Sequence, residues 1–260
     1  MILYDAQSKT YTLHTQNTTY QMKIWDYDVL LHAYYGPRLE GEDLSYPLRC
    51  ADRGFSPNPN EAGSDRTFSL DTFPQEYSTC GVGDYRLPSI ELELPSGSRT
   101  ADLRYAGGEI RKGKYALENL PAFHGSEEEW ETLSILLRDA AAGVEVELLY
   151  GVLEKYDLIT RAVRVKNAGS ETVRLCRCAS LCLDHVHSDL DLITFNGAHV
   201  MERCPSRVPV HPGIQGVGSV RGASSHQHNP FVVLCGHETD EEHGISIGAM
   251  LLYSGRVFLI

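Results

Sequence analysis

The sequence has no long apolar run and no leader-like start. No stretch approaches the roughly 18 consecutive apolar residues of a transmembrane helix. The opening MILYDAQSKTYTLH turns polar at Asp5, which does not fit a secretory signal peptide. We therefore expect a protein without a membrane partner, and the cytoplasm is its predicted location.

Basic residues are scarce beside acidic ones. The chain has 260 residues, with 23 Lys and Arg against 35 Asp and Glu, a formal net charge of −12. Such a charge repels the phosphates of nucleic acids and of anionic membranes, so neither is a predicted partner. This net charge neither attracts nor repels a neutral sugar.

The seven cysteines do not form a disulfide framework. Their number is odd, they are scattered, and no export signal precedes them. They are predicted to be reduced and to act as small apolar residues. Strand burial explains Cys176, Cys178 and Cys182 better than zinc ligation, because a zinc ribbon needs a second closely spaced cysteine pair.

The histidines offer only a weak zinc hypothesis. His185 with His187, and His226 with His228, are pairs that would share one strand face and could chelate zinc. Neither pair has a cysteine or carboxylate at a recognised metal-ligand spacing. Loop histidines are the favoured interpretation, and no metal or other cofactor is predicted.

Helix signals are few, and strand signals dominate. Only Ser126 could begin a helix, and Gly143 follows soon after. Short β-prone runs occur at 10–15, 19–24, 29–35, 89–94, 133–138, 144–153, 158–167, 172–183, 231–235 and 245–253. The 23 glycines and 12 prolines supply the turns between them. These patterns predict an all-β fold, a large twisted β-sandwich with long loops and little helix, as one domain over 1–260.

One predicted strand shows which side of a sheet faces solvent. In the run 159–166, alternation places one set of side chains on a shared face: Ile159, Arg161, Val163 and Val165. Thr160, Arg164 and Lys166 occupy the other face. This pattern is typical of a sheet that is solvated on one side.

Two long regions carry no regular pattern, namely 36–88 and 185–225. Structureless loops of this length in a compact domain are usually functional or stabilised by a partner. Within the first, residues 52–86 combine aromatic side chains with both signs of charge. Carboxylates and guanidinium groups suit the hydroxyls of a sugar, and aromatic rings suit its C–H faces. A purely structural loop can share this composition.

The same region carries a family resemblance. The segments GFSPNP (54–59), DRTFSLDTFPQEY (65–77) and GDYRLP (83–88) resemble the amino-terminal domain of family 36 α-galactosidases. The resemblance continues through KGKYALENLPAF, ETLSILLRD, LLYGVLEKYDLITRAVRVKNAG and RGASSHQHNPF, and so covers nearly the whole chain in order. It implies a β-supersandwich of the galactose mutarotase-like type.

The resemblance also implies where catalysis does not lie. A retaining glycosidase needs two carboxyl groups about 5 Å apart. In the family both are aspartates of a (β/α)8 barrel, usually about 250 residues long, that follows the amino-terminal domain. The sequence ends at YSGRVFLI without that barrel or its Lys-Trp-Asp block. No catalytic residue is therefore assigned, and this chain by itself is expected to be inactive.

The implied role is to complete a sugar site elsewhere. Family members form tetramers in which a loop of this domain closes the active site of a neighbouring subunit. That likeness points to Asp52 and Arg66, with Asp65 and Phe55 as further substrate-binding candidates. The predicted partners are a galactose-containing oligosaccharide of the melibiose or raffinose type, the (β/α)8 catalytic domain, and further copies of the chain in a homo-oligomer.

Alternatives stay open at this stage. Asp52 with Arg53, and Asp65 with Arg66, could simply be loop ion pairs that hold turns. The sequence departs from the family pattern at Gly54 and Cys80, inside the candidate loop. An autonomous carbohydrate-binding module that presents residues 52–86 is the main competing hypothesis, and a zinc protein using the histidine pairs is another.

Overall fold

The computed structural model describes residues 1–41, 43–48, 51–52, 58–185, 189–221, 226–252 and 257–259. These residues form an all-β fold in which the paired strands are antiparallel, confirming the predicted class. The first eight strands are β1 (Ile2–Asp5), β2 (Thr10–His14), β3 (Thr18–Ile24), β4 (Leu30–Pro37), β5 (Ile90–Glu93), β6 (Arg104–Lys112), β7 (Trp130–Asp139) and β8 (Val144–Leu153). The others are β9 (Leu158–Asn167), β10 (Arg174–Cys178), β11 (Leu190–Ala198), β12 (Met201–Pro209), β13 (Val217–Ser219), β14 (His228–Gly236), β15 (Ser246–Met250) and β16 (Val257–Leu259).

Helical structure in the described residues is limited to short 3-10 turns. The predicted helix start at Ser126 is one of them. Ser126 and Glu129 form a capping box over the turn Glu127–Glu129. Because β7 begins at Trp130, the turn does not extend into an α-helix.

The chain divides into two compact units. The first comprises Met1–Tyr115 and His124–Asp184, and the second comprises Ala116–Phe123 and His185–Ile260. The single-domain interpretation stays a prediction.

The first unit contains two four-stranded sheets, ordered β1-β2-β3-β4 and β6-β7-β8-β9, and a β5–β10 pair. The two larger sheets share one apolar core. Leu13 and Met22 come from one sheet, while Leu133, Ile135 and Leu148 come from the other, and all five are fully buried. Side chains of this size each gain roughly 1.5–3 kcal/mol on burial, so this core stabilises the sandwich.

The second unit contains the sheet β12-β11-β14-β15 and the pair β13–β16. The expectation of an irregular region at 185–225 was wrong, because β11, β12 and β13 lie within it. β11 and β12 form a hairpin whose turn is His199 and Val200. The prediction for 36–88 is confirmed for its described residues: past Pro37 they contain a 3-10 turn at Asn60–Ala62 and no strand.

No helix in the described part of the chain is long and apolar enough to cross a membrane.

The six cysteines that the structure describes are all free. Strand burial was the wrong explanation for Cys176 and Cys178, because both side chains are exposed. They lie on β10, which pairs only with β5 among the described strands and leaves its faces open. Cys182 is partly buried, and Cys235 is the buried member of the set.

Candidate functional site

The β4–β5 loop (residues 38–89) holds the predicted sugar-contacting residues, and its first part is attached to β3. Asp43 accepts a charged hydrogen bond from Lys23. The backbone N–H of Leu44 donates to Oε1 of the buried Gln21 at 2.7 Å. These contacts fix the loop shortly after it leaves the sheet.

The later part of the loop is attached to β4, an edge strand of its sheet. The N–H of His32 donates to the carbonyl of Pro74 at 2.7 Å, and the N–H of Glu76 donates to the carbonyl of Leu30 at 3.1 Å. Leu31 and Gln75 form an isolated antiparallel bridge. The loop therefore covers the strand edge for a short distance, which satisfies backbone groups that would otherwise be open.

Three aromatic residues of this loop belong to the protein core. Phe68 and Phe73 are buried against Leu31 in a second apolar cluster, with their rings edge to face at 5.3 Å. Tyr77 is buried in the main core. Of the five aromatic residues predicted to offer flat faces to a sugar, Tyr85 is exposed by 77 %, and Phe55 lies outside the described residues.

The structure brings Asp52 and Arg66 together. The Arg66 Nε lies 3.0 Å from the Asp52 Oδ1, and the two side chains are 56 % and 64 % exposed. Exposed pairs of this kind contribute only about 0–1 kcal/mol to stability. The contact uses one of two carboxylate oxygens and one of five guanidinium N–H groups, so both side chains retain hydrogen-bonding capacity toward a ligand.

Asp65 has a local role and does not pair with Arg66 as a turn-holding pair. Its Oδ1 accepts hydrogen bonds from the N–H of Thr67 at 2.8 Å and from the Thr67 hydroxyl at 2.7 Å. These bonds hold the pKa of the Asp65 carboxyl below its usual range. The alternative pair Asp52–Arg53 falls outside the described residues at Arg53.

A second carboxylate fixes the end of the loop. Burial alone would raise the pKa of Asp84, but hydrogen bonds from Arg86 and Gln75 outweigh it and hold that pKa below its usual range. The Arg86 Nε donates to Asp84 Oδ1 at 2.9 Å, and the Arg86 Nη2 donates to the carbonyl of Phe73 at 2.6 Å. Asp84 is therefore an ionised anchor.

A cleft of about 630 Å³ opens beside this anchor. Its walls combine amide, carboxylate and guanidinium groups with the exposed ring of Tyr85. The lining residues are Asn58, Pro59, Asn60, Glu61, Cys80, Gly81, Val82, Gly83, Asp84, Tyr85, Arg86, Asp102 and Arg104.

Sequence reasoning missed a buried ion pair between the loop and the sandwich. The Arg161 Nη1 lies 2.7 Å from Oε1 of Glu76, with the side chains 6 % and 0 % exposed. Burial opposes ionisation of Glu76, yet Arg161 and the neighbouring donors keep its pKa below the usual range. The available signal was Arg161 itself, a charged residue on the apolar face of β9.

These contacts bear on catalysis and metal binding. Glu76 and Asp84 are both ion-paired with arginines, which suits anchoring of the loop better than attack on a glycosidic bond.

Within the described residues, no three His, Cys, Asp or Glu side chains form a group that could hold a metal ion. The His228 Nδ1 instead lies 2.9 Å from Asn196 Oδ1, and His187 falls outside the described residues.

Comparison with known proteins identifies the family. The model of the glycosyl hydrolase family 36 N-terminal domain matches residues 28–258. The chain belongs to this family, and its fold is that of the amino-terminal domain in the solved structures.

Several relatives are α-galactosidases. The chain is 47 % identical to the bifunctional alpha-galactosidase/sucrose kinase AgaSK of Mediterraneibacter gnavus over 98 % of its own length. It is 41 % identical to the alpha-galactosidase AgaA of Geobacillus stearothermophilus, again over 98 % of its length. A crystal structure of an AgaA variant in complex with raffinose has a TM-score of 0.90 at 42 % identity, with 95 % of this chain and 34 % of that chain covered.

The match covers only part of each relative. The chain spans 27 % of AgaSK and 35 % of AgaA. The aligned part is the amino-terminal, non-catalytic portion of these enzymes.

Proposed function

We propose that this chain is the amino-terminal domain of an α-galactosidase that releases terminal α-linked galactose from melibiose- or raffinose-type oligosaccharides. The observation that carries the proposal is alignment of nearly the whole chain with the amino-terminal domain of such enzymes. Relatives crystallised with raffinose and with stachyose support the substrate class. The bond-breaking carboxylates would belong to the (β/α)8 domain, and this domain would scaffold it in a cytoplasmic enzyme.

In this proposal the β4–β5 loop contributes to the sugar site of a neighbouring subunit in a homotetramer. Asp52 and Arg66 are the principal contacts, because they are exposed and already aligned with each other. A carboxylate can accept two hydroxyl hydrogen bonds, and a guanidinium donates in a fixed fork. Asp65 and Phe55 complete the proposed set.

Apolar side chains on the second unit support a role in assembly. Five of them are more than 60 % exposed: Val200, Met201, Ile214, Val220 and Ile245. In the proposal they belong to a protein–protein contact surface, which is what a contiguous exposed apolar patch commonly marks. In the proposal it is covered by other parts of the full enzyme or by further copies.

Kinetics in a full-length enzyme test the loop's role. We would replace the amino-terminal domain of the Geobacillus AgaA with this chain and compare Arg66→Ala with Arg99→Ala. Arg99 is the matched control, because it is also an ion-paired surface arginine, 55 % exposed against 56 % for Arg66. Loss of a substrate contact predicts a raffinose KM about tenfold higher for Arg66→Ala with little change in kcat. Equal KM values for both variants would refute the proposed contact.

An autonomous carbohydrate-binding module is the second candidate, favoured by the polar cleft beside Tyr85. Calorimetric titration of the 260-residue chain with galactose, melibiose and raffinose separates the two functions. Millimolar or tighter binding supports a module. Absence of binding supports a site that another subunit completes.

A further inference from the structure

Glu76 links the β4–β5 loop to both four-stranded sheets of the first unit. The Tyr20 hydroxyl on β3 lies 2.7 Å and 2.8 Å from the two Glu76 oxygens, and the Tyr150 hydroxyl on β8 donates to Oε1 at 2.7 Å. Arg161 on β9 donates to the same oxygen, and its guanidinium stacks 4.1 Å from the centre of the Tyr150 ring. His32 Nδ1 on β4 lies 3.4 Å from Oε2.

Stability alone is a poor explanation for this pair. Buried ion pairs lose much of their mutual attraction to desolvation, and apolar replacements of similar volume are often equally stable. In the described structure, the Nε and Nη2 of Arg161 have no hydrogen-bond partner within the protein. The pair instead favours one position of the loop, because displacement of Glu76 would leave the charges of Glu76 and Arg161 buried without each other.

The pair also fixes one end of the loop segment that contains the proposed sugar contacts. The loop is fixed at Leu44 by Gln21 and at Glu76 by the ion pair. Asp52 and Arg66 lie between these two points. Phe73 packs the intervening chain onto β4. The buried residues Phe68 and Phe73 thus lie between Arg66 and Glu76 in the chain.

We propose that Glu76, held by Arg161, is a positioning residue for the sugar site: it fixes where the β4–β5 loop presents Asp52 and Arg66. This inference rests on the proposed function for its effect on sugar affinity. Its structural part, the placing of the loop, can be measured in the isolated chain.

The test variant replaces the polar cluster without orphaning a charge or a hydroxyl: Tyr20→Phe, Glu76→Leu, Tyr150→Phe and Arg161→Met together. We expect it to fold and to keep the hydrogen-exchange protection of β7 and β8. Amides of residues 58–74 should exchange at least about tenfold faster, because local opening no longer separates buried charges. In the full-length chimera, raffinose KM should rise about tenfold with kcat retained, since the loop contacts are misplaced.

Glu147→Gln is the control. Its ion pair with Arg164 at 2.9 Å also uses an arginine of β9, but it joins β9 to β8, does not involve the loop and is partly exposed. It should leave loop exchange and KM unchanged. If the quadruple variant does not fold, Glu76→Gln with Arg161→Met, which keeps an amide oxygen for the two hydroxyls, carries the same measurements.

Unchanged loop exchange would overturn the inference. Faster loop exchange with unchanged KM would also overturn it, provided that Arg66→Ala raises KM in the same enzyme. If Arg66→Ala leaves KM unchanged, the proposed sugar contact fails, and faster loop exchange would still support the placing of the loop by Glu76.

Discussion

The imidazole of His237 lies between two carboxylates, with its Nδ1 2.6 Å from Asp191 Oδ1 and its Nε2 2.7 Å from Asp189. Arg207 donates to the other oxygen of Asp191. Hydrogen bonds from the imidazolium to Asp189 and Asp191 raise the pKa of His237 above its usual value. The second unit thus contains a protonation-dependent contact among β11, β12 and the end of β14.

This arrangement predicts pH-dependent stability. Because the folded-state pKa of His237 is raised, its contribution is fully present below the unfolded value of about 6.5 and is lost as pH rises through the folded pKa. His237→Gln should therefore lower the thermal midpoint at pH 5.5 to 6 and have a smaller effect near pH 9. Scans of both proteins across this range check it, with His211→Gln as an exposed control. A decrease in the thermal midpoint of His237→Gln that is the same at every pH would contradict the role assigned to protonated His237.

Removal of the Glu76 charge should strongly destabilise the first unit. Glu76→Gln leaves Arg161 charged and buried without its partner, which typically costs about 3–5 kcal/mol. Glu147→Gln breaks the partly exposed pair with Arg164 and should cost less than about 1 kcal/mol. Urea unfolding of the three proteins measures both values. Similar losses of unfolding free energy in the two variants would contradict the buried environment assigned to the Glu76–Arg161 pair.

Gly143 should not tolerate a side chain. Its φ is +66°, and an added Cβ would lie 2.7 Å from the Cα of Gly169. Gly97 is a matched control, because its φ is +82° and nothing lies within 4 Å of an added Cβ. Both alanine variants carry backbone strain of about 1 kcal/mol or more, but Gly143→Ala must also displace backbone. Chemical denaturation should rank Gly143→Ala as clearly the less stable of the two.

Val200 should be a site of stored strain. This β-branched residue has φ of +70° in the two-residue turn between β11 and β12, where Gly or Asn is preferred. Val200→Gly should stabilise the isolated chain by roughly 1 kcal/mol by relieving that conformation. The same substitution at Val220, an exposed residue outside the positive-φ region, should not stabilise it. A lower thermal midpoint for Val200→Gly would contradict this account.

Local sequence patterns predicted the regular strands of the first unit well. The boundaries 144–153 and 158–167 agree with β8 and β9, because both are ten-residue runs rich in β-prone residues. β6 was missed because Gly107 and Gly108 weaken its strand signal. β12 was missed because it contains Pro205, Pro209 and several polar residues, and strand pairing decides the structure there. β11 was missed although its run LDLITF is β-prone.

The candidate site was only partly predictable. The family resemblance pointed to Asp52 and Arg66 as sugar-binding candidates, which stays a prediction, and their mutual contact depends on how the loop folds back on itself. Phe68 and Phe73 were interpreted as sugar-facing, whereas tertiary packing buries them. The partners of Glu76 come from β3, β8 and β9, and no local pattern relates residues so distant in sequence.

We propose, from its alignment with the amino-terminal, non-catalytic domain of α-galactosidases, that this polypeptide by itself does not break glycosidic bonds. Incubation of the purified 260-residue chain with nitrophenyl α-galactoside tests this most directly. The account predicts no release of nitrophenol above the uncatalysed rate, whereas the full-length chimera hydrolyses the substrate. Hydrolysis by the isolated chain at an ordinary enzymatic rate would contradict it.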